Sequence, residues 1–286
     1  ADQHWHYAVC SSLSTDLGNT SIYLSLFNNG CLHIADEKVQ LEPEAFHHFI
    51  SENKIDFLKL TPTHFHALTG NDIHPDVLPK QVLMFGGEAA STALLSKIAY
   101  AQLPASMRIF NHYGPTETTI GCFAGQWHQE KQLAMPLGEP LPNVLARVVD
   151  KYGKRVPINT PGELYVGGPG VATGYLNQPK LTDEKFVSDP LNSHASRFYR
   201  TGDLVKWQED GQLVYLGRID DQVKIRGYRI EISEIEKCLD SLAEVKTSCI
   251  NIRKLANGQQ VLDAYLVGSR HYALQDLSLA LADQLP

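Results

Sequence analysis

The sequence predicts an α/β protein: a helix-covered sheet with a smaller β-rich subdomain, followed by a small α+β domain. Three observations carry this. In the first two-thirds, short apolar runs alternate with segments of helical periodicity. From about Leu137, short β-rich runs are separated by turns containing Gly and Pro. In the last part, strand-like alternation leads into an amphipathic helix. With 286 residues, 43% of them apolar, the chain can bury two cores. The expected division is 1–219, with the β-rich subdomain at about 137–219, and 220–286.

In chain order, residues 81–85 form a short apolar run that Gly86-Gly87 breaks. Ser91 then caps a segment with Leu94, Leu95 and Ile98 at helical spacing, giving a β-turn-α unit. Residues 144–149 and 163–166 read as strands. Residues 205–207 and 212–216 flank Asp210-Gly211, a hairpin signal. Val223 and Ile225 alternate with Lys224 and Arg226. Ser233 is expected to open a helix, with Glu236 completing a capping box and Ile232, Ile235, Leu239 and Leu242 on one face. Asn257-Gly258 joins two more strand-like runs, and an amphipathic stretch over about 273–285 ends the chain.

The net charge of −7 argues against nucleic acid or an anionic membrane as the main partner. No apolar run approaches the roughly 20 residues of a membrane span. The polar start lacks the features of a signal peptide, and so abrupt a beginning is expected of a piece of a longer protein. The cysteines, Cys10, Cys31, Cys122, Cys238 and Cys249, form no Cys-x-x-Cys pair. They read as thiols in a reducing cytoplasm. His47-His48 and His64-x-His66 lack the spacing of a helical metal site and have no cysteine nearby, so they read as structural or surface histidines.

Gly168-Pro169-Gly170 with Gly174 superficially resembles a dinucleotide-binding loop, but the spacing is wrong and no helix start follows. The run from Asn111 through His112, Tyr113, Gly114, Pro115, Thr116, Glu117 and Thr118 to Thr119 is more informative. A tight turn surrounds one carboxylate with hydroxyls and backbone amides, a chemistry suited to phosphate and Mg²⁺, and Tyr113 offers an aromatic face.

Four further stretches stand in order with this loop. They are Gly86-Gly87-Glu88-Ala89; 162–168 running on to Gly174-Tyr175-Leu176; Tyr199-Arg200-Thr201-Gly202-Asp203-Leu204; and 217–231. On these residues the whole chain resembles the adenylate-forming superfamily, and within it the adenylation domains of nonribosomal peptide synthetases. The resemblance implies a large adenylation core, present in part, and a mobile C-terminal subdomain hinged at Asp220. It implies activation of an amino acid as aminoacyl-AMP with ATP and Mg²⁺. Transfer to the phosphopantetheine thiol of a peptidyl carrier protein domain would follow, with a condensation domain of the same synthetase as a further partner.

The resemblance places nucleotide binding at Gly86, Gly87, Glu88, Ala89, Asn111, Tyr113, Gly114, Thr116, Thr118, Asp203, Tyr215 and Arg218. Asp203 would accept from both ribose hydroxyls, and Tyr113 and Tyr215 would flank adenine and ribose. Thr116, Glu117 and Arg218 would serve the reaction, Thr116 on phosphate and Glu117 on magnesium. Gly227 would line the pantetheine channel, where a side chain would obstruct.

The same resemblance sets Asp16 against the α-ammonium group of an amino-acid substrate. It completes the pocket with Leu17, Thr20, Lys59, Met84, Gly86, His112, Ile120 and Gly121. Lys59 lies in an apolar run where a lysine is costly unless paired. Lysine plus an imidazole N–H or imidazolium favours an anion, Thr20 adds a hydroxyl, and Gly86 and Gly121 leave space. L-Aspartate is the expected substrate, and asparagine is the near alternative. An acyl- or aryl-acid ligase of the same superfamily, or a non-catalytic remnant that docks a carrier protein, are the other readings. Full adenylation domains also carry an earlier phosphate loop and a later lysine, neither found here, so this segment alone is expected to turn over slowly or not at all.

Overall fold

The computed structural model describes residues 4–101, 103–104, 106–128, 134–189, 197–220, 222–225, 228–242, 245–254, 260–268, 277 and 281. The chain divides into two compact units, Ala1–Ile219 and Asp220–Pro286.

The first unit is built on a seven-stranded sheet of order β2-β1-β3-β4-β5-β6-β7. Its strands are β1 (His6–Val9), β2 (Cys31–Ile34), β3 (Phe57–Leu60), β4 (Val82–Gly86), β5 (Arg108–Tyr113), β6 (Phe123–Trp127) and β7 (Glu139–Pro140). The first five pair in parallel, and β6 and β7 pair antiparallel. Parallel strands need crossovers. Helix α1 (Asn19–Phe27) links β1 to β2, and α2 (Glu37–Leu41) with α3 (Pro43–Glu52) returns to β3. Helix α4 (Pro62–Thr69) leads to β4 and α5 (Thr92–Tyr100) to β5. Because β1 connects outward to β2 while β3 to β5 run the other way, the strand order reverses between β1 and β3. The carboxyl ends of those two strands therefore frame the crevice where open α/β sheets bind ligands.

One face of the sheet buries Leu58, Leu60, Leu83, Phe85 and Ile109 against Phe46, Ile50, Phe65, Leu68, Leu94, Leu95 and Ile98 from α3, α4 and α5. The helix starts are fixed locally. Ser91 accepts from the Leu94 amide at 3.2 Å, as its position before the periodic run predicts. Thr61 does the same for His64 at the start of α4. The other face carries Tyr7, Phe57 and Val82 with Met84, Phe110 and Leu24, and a groove of about 660 Å³ opens over it.

A five-stranded antiparallel sheet completes the unit. It comprises β8 (Leu145–Val149), β9 (Gly162–Gly167), β10 (Phe186–Ser188), β11 (Arg197–Trp207) and β12 (Leu213–Arg218), with the short α6 (Pro179–Lys185) before β10. The β11–β12 hairpin turns at Asp210-Gly211 as the sequence predicts. The loop is one residue longer than a two-residue turn: Gln208 bonds Gln212, and Gly211 takes φ +81°. Pairing of β11 with β9 slips between Arg200 and Leu204, so Thr201, Gly202 and Asp203 bulge from the ladder. Bulges re-aim side chains, and this one aims Asp203.

The second unit contains the hairpin β13 (Gln222–Ile225) and β14 (Tyr228–Glu231), then α7 (Ile232–Asp240), β15 (Val245–Lys254) and β16 (Gln260–Gly268). Ile232, Ile235, Leu239 and Leu242 pack with Val223, Ile250, Ile252 and Leu262, as the helical periodicity requires. The expected capping box does not form. Glu231 occupies the cap position, and Ser233 already lies inside the helix. The Glu236 carboxylate instead accepts from the Ile250 amide at 3.0 Å, a tertiary bond that ties α7 to β15. Asn257-Gly258, Arg226, Gly227 and most of the stretch 273–285 lie outside the described residues. Among the described residues no helix is long and apolar enough to cross a membrane, and none of the five cysteines is in a disulfide.

Candidate active site

Lys59 sits near the end of β3, at the strand reversal, and its side chain is 2% exposed. Its ammonium donates to Thr20 Oγ1 on α1 and to His112 Nδ1 on β5, each at 2.9 Å. Burial pushes the Lys59 pKa down to about 8, and the nearby Asp16 carboxylate opposes that shift. His112 is driven down to about 3, by burial first and by the Lys59 charge second. At neutral pH the pair is therefore an ammonium donating to a neutral imidazole. The imidazolium considered from the sequence is excluded, because two adjacent buried cations are far more costly than one. Anion attraction falls to Lys59 alone, with Thr20 as a neutral partner.

The geometry brings most of the expected pocket residues together. A Cβ at Gly86 would lie 3.0 Å from Lys59 Cε and 3.3 Å from Leu17 Cδ1. At Gly121 a Cβ would overlap the His112 ring. The glycine at 121 thus makes room for the imidazole, a correction to its expected role as open space for substrate. Met84 neighbours Lys59 in the β3–β4 register. Ile120 precedes Gly121 and, like Thr119, adopts a left-handed backbone at φ +66° and +65°. For β-branched residues that conformation is strained, by about 1–3 kcal/mol each. Asp16 begins a short 3-10 turn and caps no helix: Gly18 precedes α1. Gly121→Ala is expected to displace His112 from Lys59 and destabilise the protein by about 1–3 kcal/mol. Urea unfolding checks this, and a change below about 0.5 kcal/mol would mean the ring has somewhere else to go.

The Asn111–Thr119 segment starts as the last three residues of β5 and turns off its carboxyl end at Gly114. Gly114 is required there, since a Cβ would meet Gly121 Cα at 2.6 Å and the Cys122 amide nitrogen at 2.9 Å. Thr116 is exposed. Thr118 is buried and donates to Pro115 O at 3.0 Å, while Thr119 donates to Gly170 O at 2.6 Å. The picture of three hydroxyls presented together is corrected accordingly: only Thr116 of the three is both exposed and outside these two bonds. Glu117 is 8% exposed and its Oε1 accepts from Tyr175 at 2.6 Å and Tyr199 at 2.8 Å. Burial and these bonds raise the Tyr175 pKa strongly, so the phenol stays a donor. Both tyrosines stand in quoted motifs, yet nothing in their spacing revealed that they hold Glu117. A carboxylate oriented by neutral donors beside a threonine hydroxyl fits a hard dication that takes oxygen ligands.

Asp203, delivered by the bulge, is 5% exposed. Its Oδ1 accepts from Arg218 Nη1 at 2.9 Å across the β11–β12 pair, and its Oδ2 accepts from the Tyr113 hydroxyl. Thr201 Oγ1 accepts from the Asp203 amide and donates to Leu164 O, which holds the bulge. The Tyr113 ring stands edge-on to Phe123, with centroids 6.0 Å apart, and Tyr215 packs on the same core. Of the other expected nucleotide residues, Asn111 donates to Pro136 O at 2.8 Å. Glu88 accepts from the Thr63 amide at 2.7 Å, so its carboxylate serves the start of α4. Gly87 takes φ +83°, which turns the chain from β4 toward Ala89. Asp220 accepts weakly from the Gln222 amide at 3.4 Å.

The family of AMP-binding enzymes matches residues 2–176. Tyrocidine synthase 3 of Brevibacillus parabrevis is 39% identical over 284 residues, which is 98% of this chain and 4% of that protein. Bacitracin synthase 3 of Bacillus licheniformis is 38% identical over 282 residues, again 98% and 4%. The chain thus spans a small part of these relatives. A solved structure of holo-PA1221, a nonribosomal peptide synthetase protein with adenylation and PCP domains bound to a vinylsulfonamide inhibitor, is similar with a TM-score of 0.87. It is 27% identical, over 99% of this chain and 49% of that one.

Proposed function

The chain belongs to the AMP-binding enzyme family, and on that premise we propose that it activates L-aspartate as aspartyl-AMP for transfer to a carrier-protein phosphopantetheine thiol. The observation that carries the substrate reading is the buried Lys59, which no protein carboxylate among the described hydrogen bonds and ion pairs neutralises directly. A substrate β-carboxylate beside it would supply the missing counter-ion. Asp16, close enough to raise the Lys59 pKa, would take the α-ammonium group. A short acidic amino acid answers both charges.

In the nucleotide part, Asp203 and Arg218 would bind the ribose side, with Tyr113 and Tyr215 beside the base. The Asp203 carboxylate offers about four lone-pair sites, so ribose hydroxyls can join or replace its present donors. Mg²⁺ would be held by Glu117, and when bound it supplies charge that offsets the triphosphate's. Tyr175 and Tyr199 keep the Glu117 carboxylate oriented, and Thr116 would donate to phosphate. Asp220 would act as the hinge for the second unit, and Gly227 would keep the pantetheine path clear.

Amino-acid-dependent ATP–pyrophosphate exchange by the synthetase module carrying this chain tests the reading. Exchange with aspartate well above asparagine supports it; preference for asparagine or a hydrophobic amino acid removes the Lys59 argument. The pH profile is a second check. Aspartate is expected to select the protonated Lys59, whose pKa in the free protein is about 8. Above that value, apparent affinity for aspartate should fall by up to about tenfold per pH unit, relative to a neutral amino acid. A parallel profile for both would show that Lys59 does not face the substrate carboxylate.

A further inference from the structure

At the opposite end of the strands from the candidate active site, three metal-ligating side chains meet at the sheet's edge. β1 and β2 pair in parallel with His6 opposite Cys31 and Ala8 opposite His33. Side chains two residues apart share a face, so Cys31 and His33 stand together on β2 beside His6. One ligand atom from each lies within 4.8 Å of the others. His6 Nδ1 and His33 Nε2 are 2.8 Å apart and share a proton. The rings are stacked with centroids 5.1 Å apart, and the His33 ring is set edge-on to Phe49 of α3. Asn53 also hydrogen-bonds to His33, and its own amide is fixed on Phe49 O at 2.8 Å. The histidines are thus positioned by groups on three separate elements.

We propose that His6, Cys31 and His33 bind a zinc ion, with solvent as the fourth ligand. Zinc takes imidazole nitrogen at about 2.0–2.1 Å and thiolate sulfur at about 2.3 Å in a tetrahedron. Those lengths place neighbouring ligand atoms roughly 3.3–3.7 Å apart. The histidine nitrogens need to open by about half an ångström, and the sulfur must close by at most about 1.2 Å, both within side-chain rotation. As the ion enters, the proton between the two imidazoles moves to the outer nitrogen of the ring that donates it, so both rings stay neutral, and the thiol proton of Cys31 is released to solvent. A borderline-soft ion suits a set of two nitrogens and one sulfur, whereas Mg²⁺ or Ca²⁺ would want oxygen. The bound ion pins the edge strand β2 to β1 and covers the exposed Cys31 thiol.

Two readouts on the full chain test this. Titration with Co²⁺, a tetrahedral stand-in for zinc, is expected to saturate at one equivalent with a thiolate-to-cobalt charge-transfer band. Cys31→Ser should abolish the band, while a variant with His47 and His48 both changed to Asn should keep it. Separately, Zn²⁺ should slow alkylation of Cys31 but leave Cys249, which is also exposed, unaffected. The chemical-labelling arm needs no variant and so stands even if a substitution disturbs folding. The proposal is overturned if Cys31 alkylates at the same rate with and without zinc. It is also overturned if the cobalt spectrum survives Cys31→Ser, or is lost only when His47 and His48 are changed.

Discussion

Lys59→Met is expected to make the protein more stable and nearly unable to activate aspartate. The two effects share one cause. The ammonium is buried, with a hydroxyl and a neutral imidazole as its direct partners. An uncompensated buried charge is a liability that an apolar isostere removes, often with a gain of about 1–4 kcal/mol. The sign with pH follows from the depressed pKa. Below about 8 Lys59 is charged in both folded and unfolded chains, and the folded state carries the full burden. Between about 8 and its ordinary value of 10.5 the folded protein has already released the proton, so the burden lifts as pH rises. The advantage of Lys59→Met should therefore be largest near pH 7 and shrink through that window, by on the order of 3 kcal/mol. Removing a buried charge partner from a complex costs about 2–5 kcal/mol, so aspartate-dependent exchange should fall by roughly 30- to 5,000-fold. A less stable variant at pH 7 would show that the Thr20–Lys59–His112 link outweighs desolvation. Aspartate activation within a few-fold of the parent would place the substrate carboxylate elsewhere.

His112→Glu separates charge from shape at the same place. A glutamate there would pair with Lys59 and neutralise the attraction for a second carboxylate, so preference should move from aspartate toward asparagine. Exchange over the two amino acids measures it, and an unchanged ratio would show that His112 only spaces the loop.

Much of this site was legible because single residues broke the local pattern. Lys59 stands out in an apolar strand, and burial makes it as unusual in space as it is in sequence. Ser91 and the hairpin at Asp210-Gly211 were legible because caps and turns are local chemistry. What could not be read is set by tertiary pairing. The neutral state of His112 follows from its burial first and from the charge of Lys59, 53 positions away, second. Glu117 turns inward because Tyr175 and Tyr199 lie behind it. Glu236 prefers a strand amide to its own helix cap. The His6–Cys31–His33 group arises only when two strands 25 positions apart come into parallel register, and no spacing rule within one element would find it.

Asp203→Asn is expected to have the largest effect on the nucleotide side. The substitution keeps the shape and one acceptor oxygen but removes the charge that holds Arg218, whose side chain is 12% exposed. Breaking a buried ion pair by neutralising one partner destabilises by about 3–5 kcal/mol where burial is complete, and the partial exposure of Arg218 places the expected loss at or below about 3 kcal/mol. The amide oxygen can still accept from Arg218 or Tyr113, but its NH₂ cannot accept from either. If Asp203 also receives the ribose hydroxyls, exchange should drop by 100-fold or more, since a site built around a hydrogen-bonded hydroxyl loses heavily when the match fails. Stability loss alone would lower activity too, so the deciding comparison is ATP against 2′-deoxy-ATP. The parent should discriminate strongly, and Asp203→Asn should discriminate little, because the contact that reads the hydroxyl is already impaired. Undiminished discrimination in the variant would assign ribose recognition to another residue. Asp203 would then be a clasp that closes the β11–β12 bulge onto Arg218 and Tyr113.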